Sequence, residues 1–128
     1  MIKPFQLILM LFCITFVSVS ACSQTDVPQT DPPGDLVAEG ERVFNQQCTS
    51  CHAKDADTII VGPALGKIGA QAGLRVQNQD GRQYIEIAIM QPGEYMVEGY
   101  PNVMPPDYAK RLSDQEIDAL VAYLLSLK

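Results

Sequence analysis

The sequence predicts a small all-α domain behind a leader and a tether. Three observations carry that prediction. Ser113-Asp114-Gln115-Glu116 is a full capping box, and it opens an amphipathic run that sets Ile117, Leu120, Val121, Leu124 and Leu127 on one face through to Lys128. An earlier run from Asp35 to Gln47 places Leu36, Gly40, Val43 and Phe44 together, with Glu39, Glu41 and Arg42 elsewhere on the turn. Between them Asp80 and Gln83 form a second capping box, followed at helical spacing by Tyr84, Ile85, Ala88 and Ile89.

The first 21 residues read as a removable export leader. Lys3 supplies a basic start, and a mostly apolar run follows from Leu7 to Val19, broken by Cys13, Thr15 and Ser18. A run of about 13 residues falls short of the roughly 20 that a membrane span needs, so cleavage is expected rather than retention. Val19-Ser20-Ala21-Cys22 closes the segment and resembles the lipobox of bacterial lipoproteins, which implies that Cys22 becomes a lipidated first residue. Residues 22–34 are polar and proline-rich with a single aliphatic side chain, and read as a disordered linker that reaches roughly 40 Å when extended. The folded domain is expected over residues 35–128, with Asp35 as the cap of its first helix. Gly40 inside that helix costs about 1 kcal/mol against alanine, which points to close approach by another helix. The last helix is the natural partner, crossing at Gly40.

Residues 53–81 develop neither a long helical nor a long strand pattern, and their five glycines imply loops and short turns. Leu74 to Gln79 is a candidate for one arm of a hairpin closing at Asp80-Gly81. Gln91-Pro92-Gly93 ends the middle helix, and residues 94–107 are irregular, stiffened by Pro101, Pro105 and Pro106.

Chemistry concentrates in Cys48-Thr49-Ser50-Cys51-His52. Two thiols three positions apart with a histidine directly after the second form the pattern for covalent attachment of a c-type haem, each thiol adding to one porphyrin vinyl group and the histidine serving as proximal iron ligand. A zinc site would require four ligands, and the chain has no second histidine and no second cysteine pair to supply them. A thioredoxin-like pair belongs in a βαβ setting that the pattern does not show. The cysteines then divide without remainder: Cys13 leaves with the leader, Cys22 carries lipid, and Cys48 and Cys51 carry one haem c.

A single histidine excludes a bis-histidine site within the chain, so the sixth iron position falls to a methionine. Met90 is expected to pack in the core. Met104, followed by Pro105-Pro106, lies in a stiff loop whose extended geometry suits a preorganised ligand; Met96, in the preceding loop, is the alternative. The net charge of −6 disfavours nucleic acid and either steers the domain towards basic docking patches or serves solubility.

The order of Cys48-Thr49-Ser50-Cys51-His52, Gly62-Pro63-Ala64-Leu65, Met104-Pro105-Pro106 and a C-terminal helix resembles a class I cytochrome c over residues 35–128. Tyr84 to Pro92, Val97-Glu98-Gly99-Tyr100 and Asp114-Gln115-Glu116-Ile117 are most similar to the cytochrome c domain fused to subunit II of some haem–copper oxidases. The resemblance implies an all-helical fold with haem in a crevice, and it implies that the Pro63 carbonyl meets the other nitrogen of His52 and fixes the ring. The copper-binding part of such a subunit is absent. So is tryptophan, which leaves Arg75, Tyr84, Tyr95 and Tyr100 as candidate partners for the haem propionates.

The expected protein is a non-enzymatic electron carrier, lipid-anchored at a bacterial membrane and facing the periplasm or cell exterior. Its expected partners are a redox protein donor and acceptor, with a terminal oxidase or a quinol-oxidising complex as candidates. The rivals are a haem enzyme or gas sensor with an open sixth position, and a fixed cytochrome subunit of a respiratory complex.

Overall fold

Two helices distant in sequence frame the molecule. The computed structural model describes residues 33–128; the leader over 1–21, Cys22 and most of the linker lie outside the described residues. The elements are α1 (Pro33–Gln47), α2 (Ile68–Gln71), a 3-10 turn (Ala72–Leu74), α3 (Gly81–Met90), α4 (Tyr108–Arg111) and α5 (Asp114–Ser126). Among the described residues there is no strand, and His52 and Ile59 form an isolated antiparallel bridge. No described helix is long and apolar enough to cross a membrane.

The most extensive packing joins α1 to α5. Phe44, Val43, Leu120 and Val121 are almost wholly buried between them, and the Phe44 and Tyr123 rings meet with centroids 5.5 Å apart. Gly40 makes the approach possible. A Cβ there would overlap the Ala119 carbonyl and stand 2.6 Å from the Tyr123 Cβ, so only a hydrogen lets the two backbones come this close. The crossing predicted at Gly40 is thus present, and the helix-weakening residue is retained for packing.

Both capping boxes form. The Asp80 carboxylate accepts the Gln83 amide while the Gln83 side chain accepts the Asp80 amide. Ser113 and Glu116 exchange the equivalent pair at the start of α5.

Several boundaries differ from the sequence reading. α1 begins at Pro33, so residues 33 and 34 belong to the helix rather than to the linker, and Asp35 lies inside the first turn instead of capping it. Proline suits a first turn, where its missing N–H has no intrahelical acceptor, and an acidic residue there complements the helix dipole. The hairpin arm at 74–79 does not form. Leu74 ends the 3-10 turn almost fully exposed, and Asn78 adopts a left-handed φ of 62°, which no continuous strand accommodates. α5 stops at Ser126 rather than Lys128; Leu127 turns extended, and its carbonyl accepts the Gly69 amide at 2.8 Å.

Candidate functional site

Helix α1 runs without a break into the cysteine motif. The amide of Cys48 donates to the Phe44 carbonyl at 2.9 Å, and those of Cys51 and His52 donate to the Cys48 carbonyl at 3.0 and 2.9 Å. One further helical turn is thereby wound from the motif itself. Residues at i, i+3 and i+4 share a side of such a turn, so Cys48, Cys51 and His52 line one crevice.

The next segment folds back on this turn. The amides of Val61 and Gly62 both donate to the Cys51 carbonyl, at 3.2 and 2.9 Å, and Leu65 donates to the Ala53 carbonyl at 3.0 Å. These bonds set the Pro63 carbonyl 2.8 Å from His52 Nδ1. A carbonyl oxygen only accepts, so Nδ1 carries the proton and Nε2 presents its lone pair. The contact that the family resemblance implied is therefore in place. Gly62 makes room for the ring: a Cβ there would sit 2.8 Å from Nδ1 and 3.0 Å from Nε2.

The crevice has an empty volume of about 1170 Å³, part of it open to solvent. Its lining is mostly apolar and aromatic, and among the described residues Arg75 is the one Asp, Glu, Lys or Arg in it. Burial, with Cys51 adding and Arg111 opposing, pushes the Cys48 thiol up to about 11. A redox-active dithiol needs the opposite shift, since the thiolate is the reactive form. The helical setting and the raised thiol both disfavour the thioredoxin-like alternative.

The residues singled out from sequence fall into two groups. Met96 and Met104 both line the crevice, but Met96 is 39 % exposed while Met104 is half-buried and packed against the core. Met90 ends α3, leans on the core and does not line the crevice. Arg75, Tyr84, Tyr95 and Tyr100 all line it. Arg75 donates to Gln71 Oε1 at 2.9 Å, and the Tyr84 and Tyr95 rings meet edge to face at 5.5 Å. Burial raises the Tyr84 phenol above its ordinary value, with nearby Arg75 opposing the shift.

Sequence reasoning missed Tyr108 and the short helix α4 that carries it. The phenol is buried, lines the crevice and donates to the Gln47 carbonyl at 3.2 Å. Asp107 and Arg111, four residues apart and ion-paired at 3.2 Å, were the signal for this turn.

The residues present thus fit a covalently held haem: two thiols and a histidine on one turn, a proline carbonyl fixing the imidazole, and a mostly apolar cradle with a half-buried thioether. Comparison with known proteins agrees. The family model for cytochrome c matches residues 37–128. Cytochrome c oxidase subunit 2 of Alkalihalophilus pseudofirmus is 32% identical over 77% of this chain, which covers 28% of that protein. The chloroplastic cytochrome c6 of Chlamydomonas reinhardtii is 32% identical over 69% of this chain and 52% of its own length. Cytochrome c6 of Synechococcus elongatus is 31% identical over 70% of this chain and 87% of its own. The chain belongs to the cytochrome c family and carries a covalent haem c.

Proposed function

We propose that this protein is a membrane-tethered one-electron carrier whose haem iron is held between His52 Nε2 and the Met104 thioether. The observation that supports this reading best is the shared crevice, which brings Cys48, Cys51 and His52 together with a half-buried Met104. When bound, the haem supplies a one-electron redox couple. The chain's share is to bind, orient and shield it. Cys48 and Cys51 anchor the porphyrin through thioethers, and the Pro63 carbonyl locks the His52 tautomer and raises its basicity as a ligand. Met104, at a bend ahead of Pro105-Pro106, would supply the second ligand to the iron, and the mostly apolar lining would limit the access of water. Two strong protein ligands leave no position for a substrate, and electron transfer follows rather than catalysis.

The tether follows from sequence. Residues 1–21 act as an export leader, Cys22 carries lipid, and the linker up to residue 32 gives the domain reach from a bacterial membrane towards redox partners. A terminal oxidase is the favoured acceptor, supported by the similarity to an oxidase subunit.

The ferric protein is expected to show a methionine-to-iron charge-transfer band. Met104→Ala abolishes it and Met96→Ala leaves it intact; loss in the second variant alone would move the ligand to Met96. A high-spin native ferric protein, or one that binds carbon monoxide readily when reduced, would overturn the carrier reading. Equal fatty-acid labelling of wild type and Cys22→Ala would remove the anchor.

A further inference from the structure

We infer that Tyr108 is a positioning residue that latches the Met104 loop to the haem-attachment helix; the inference rests on the proposed His52/Met104 ligation. The last carbonyls of a helix have no intrahelical partner, and those near the end of α1 sit beside the attachment motif. The Asn45 carbonyl accepts the Thr49 hydroxyl at 2.9 Å, and the Gln47 carbonyl accepts the Tyr108 hydroxyl at 3.2 Å. Gln47 immediately precedes Cys48, and Tyr108 follows Met104 by four residues, two of the three between them proline. One hydrogen bond thus spans 61 residues of sequence and joins the segment carrying the thiols and His52 to the loop carrying the thioether.

The bond is held from behind. The Tyr108 ring is buried in the core, and the Arg111 guanidinium stacks over it 4.2 Å from the centroid while pairing with Asp107. The ring has little freedom to swing, so its hydroxyl is fixed relative to Gln47. Between Tyr108 and Met104, Pro105 and Pro106 transmit that position as a short stiff strut. Removing only the hydroxyl leaves the ring packed and the Gln47 carbonyl without its partner, which favours states in which the Met104 loop lifts away.

The test uses the full-length haem-loaded protein and imidazole as the probe. Ferric wild type, Tyr108→Phe and Leu112→Ala are titrated with imidazole by visible spectroscopy, and unfolding midpoints are measured alongside. Leu112, a buried core residue of the same segment, controls for general softening. Tyr108→Phe is expected to keep the charge-transfer band and to bind imidazole about three- to tenfold more tightly, the effect of one lost part-buried hydrogen bond. Leu112→Ala is expected to lower the unfolding midpoint with less than about a twofold change in imidazole affinity. Wild-type affinity in Tyr108→Phe, or an equal gain in Leu112→Ala, overturns the latch while the band stands. A band that survives Met104→Ala overturns the ligation reading, and the latch with it.

Discussion

His52 and Pro63 meet through a single hydrogen bond of 2.8 Å from Nδ1 to the carbonyl oxygen, and Gly62 is the residue that lets them do so. The imidazole is pinned from one side by the carbonyl and grazed by a backbone that carries no Cβ. Gly62→Ala is therefore expected to push the ring off its present axis. The expected outcome is a loss of about 1–3 kcal/mol in guanidinium unfolding of the haem-loaded protein, together with a shifted reduction potential. An unchanged midpoint and potential would show that the loop yields to the extra methyl.

The close crossing at Gly40 gives a second expectation. On propensity alone, Gly40→Ala adds about 1 kcal/mol to helix stability. Against the Ala119 carbonyl and the Tyr123 Cβ the sign reverses, and the net effect is a destabilisation of roughly 1–3 kcal/mol as α1 and α5 are forced apart. The urea midpoint decides between the two signs.

Acid should loosen the domain through its capping carboxylates. Hydrogen bonds from the Ser113 backbone and hydroxyl hold the Glu116 carboxyl below its ordinary value of 4.5. The side chain of Arg42 does the same for Glu39, and the Asp57 and Thr58 backbones do so for Asp55. A carboxylate with a depressed folded value binds fewer protons folded than unfolded. Its stabilisation is complete above the unfolded value and fades as pH falls through the folded one. Stability is thus expected to drop below about pH 4.5, with a shallower slope in Glu116→Gln. Ser113→Ala, by removing the cap itself, costs about 1 kcal/mol at neutral pH.

Covalent attachment is checked on denatured protein. Cys48→Ser and Cys51→Ser each leave one thioether, so haem stain is expected to stay with the polypeptide in either single variant and to be lost in the double one. Staining of the double variant would contradict attachment at these thiols.

The frame and the attachment turn were legible because each rests on local spacing. Capping boxes, a heptad-like apolar face and the i, i+3, i+4 set of Cys48, Cys51 and His52 all fall within a turn or two of helix. The region from Ile59 to Asn78 was not, since its shape comes from contacts far along the chain, such as the Val61 and Gly62 amides on the Cys51 carbonyl and the Gly69 amide on Leu127. Tyr108 escaped notice for the same reason. Its polar partner is a backbone carbonyl, and no residue type betrays that. The exposure difference between Met96 and Met104 likewise arises from packing around the crevice, which composition does not encode.

Gly40, Phe44, Ala119 and Tyr123, which close α1 onto α5, do not line the crevice. The close approach of α1 and α5 at Gly40 thus lies outside the lining that Met104 shares. A domain built this way is expected to separate two kinds of rigidity, the framework between α1 and α5 holding while the Met104 segment opens locally. Under the proposed His52/Met104 ligation, heat or denaturant is expected to unseat the thioether before the helices part, so that ligand exchange at the iron reports on a local door rather than on the integrity of the house.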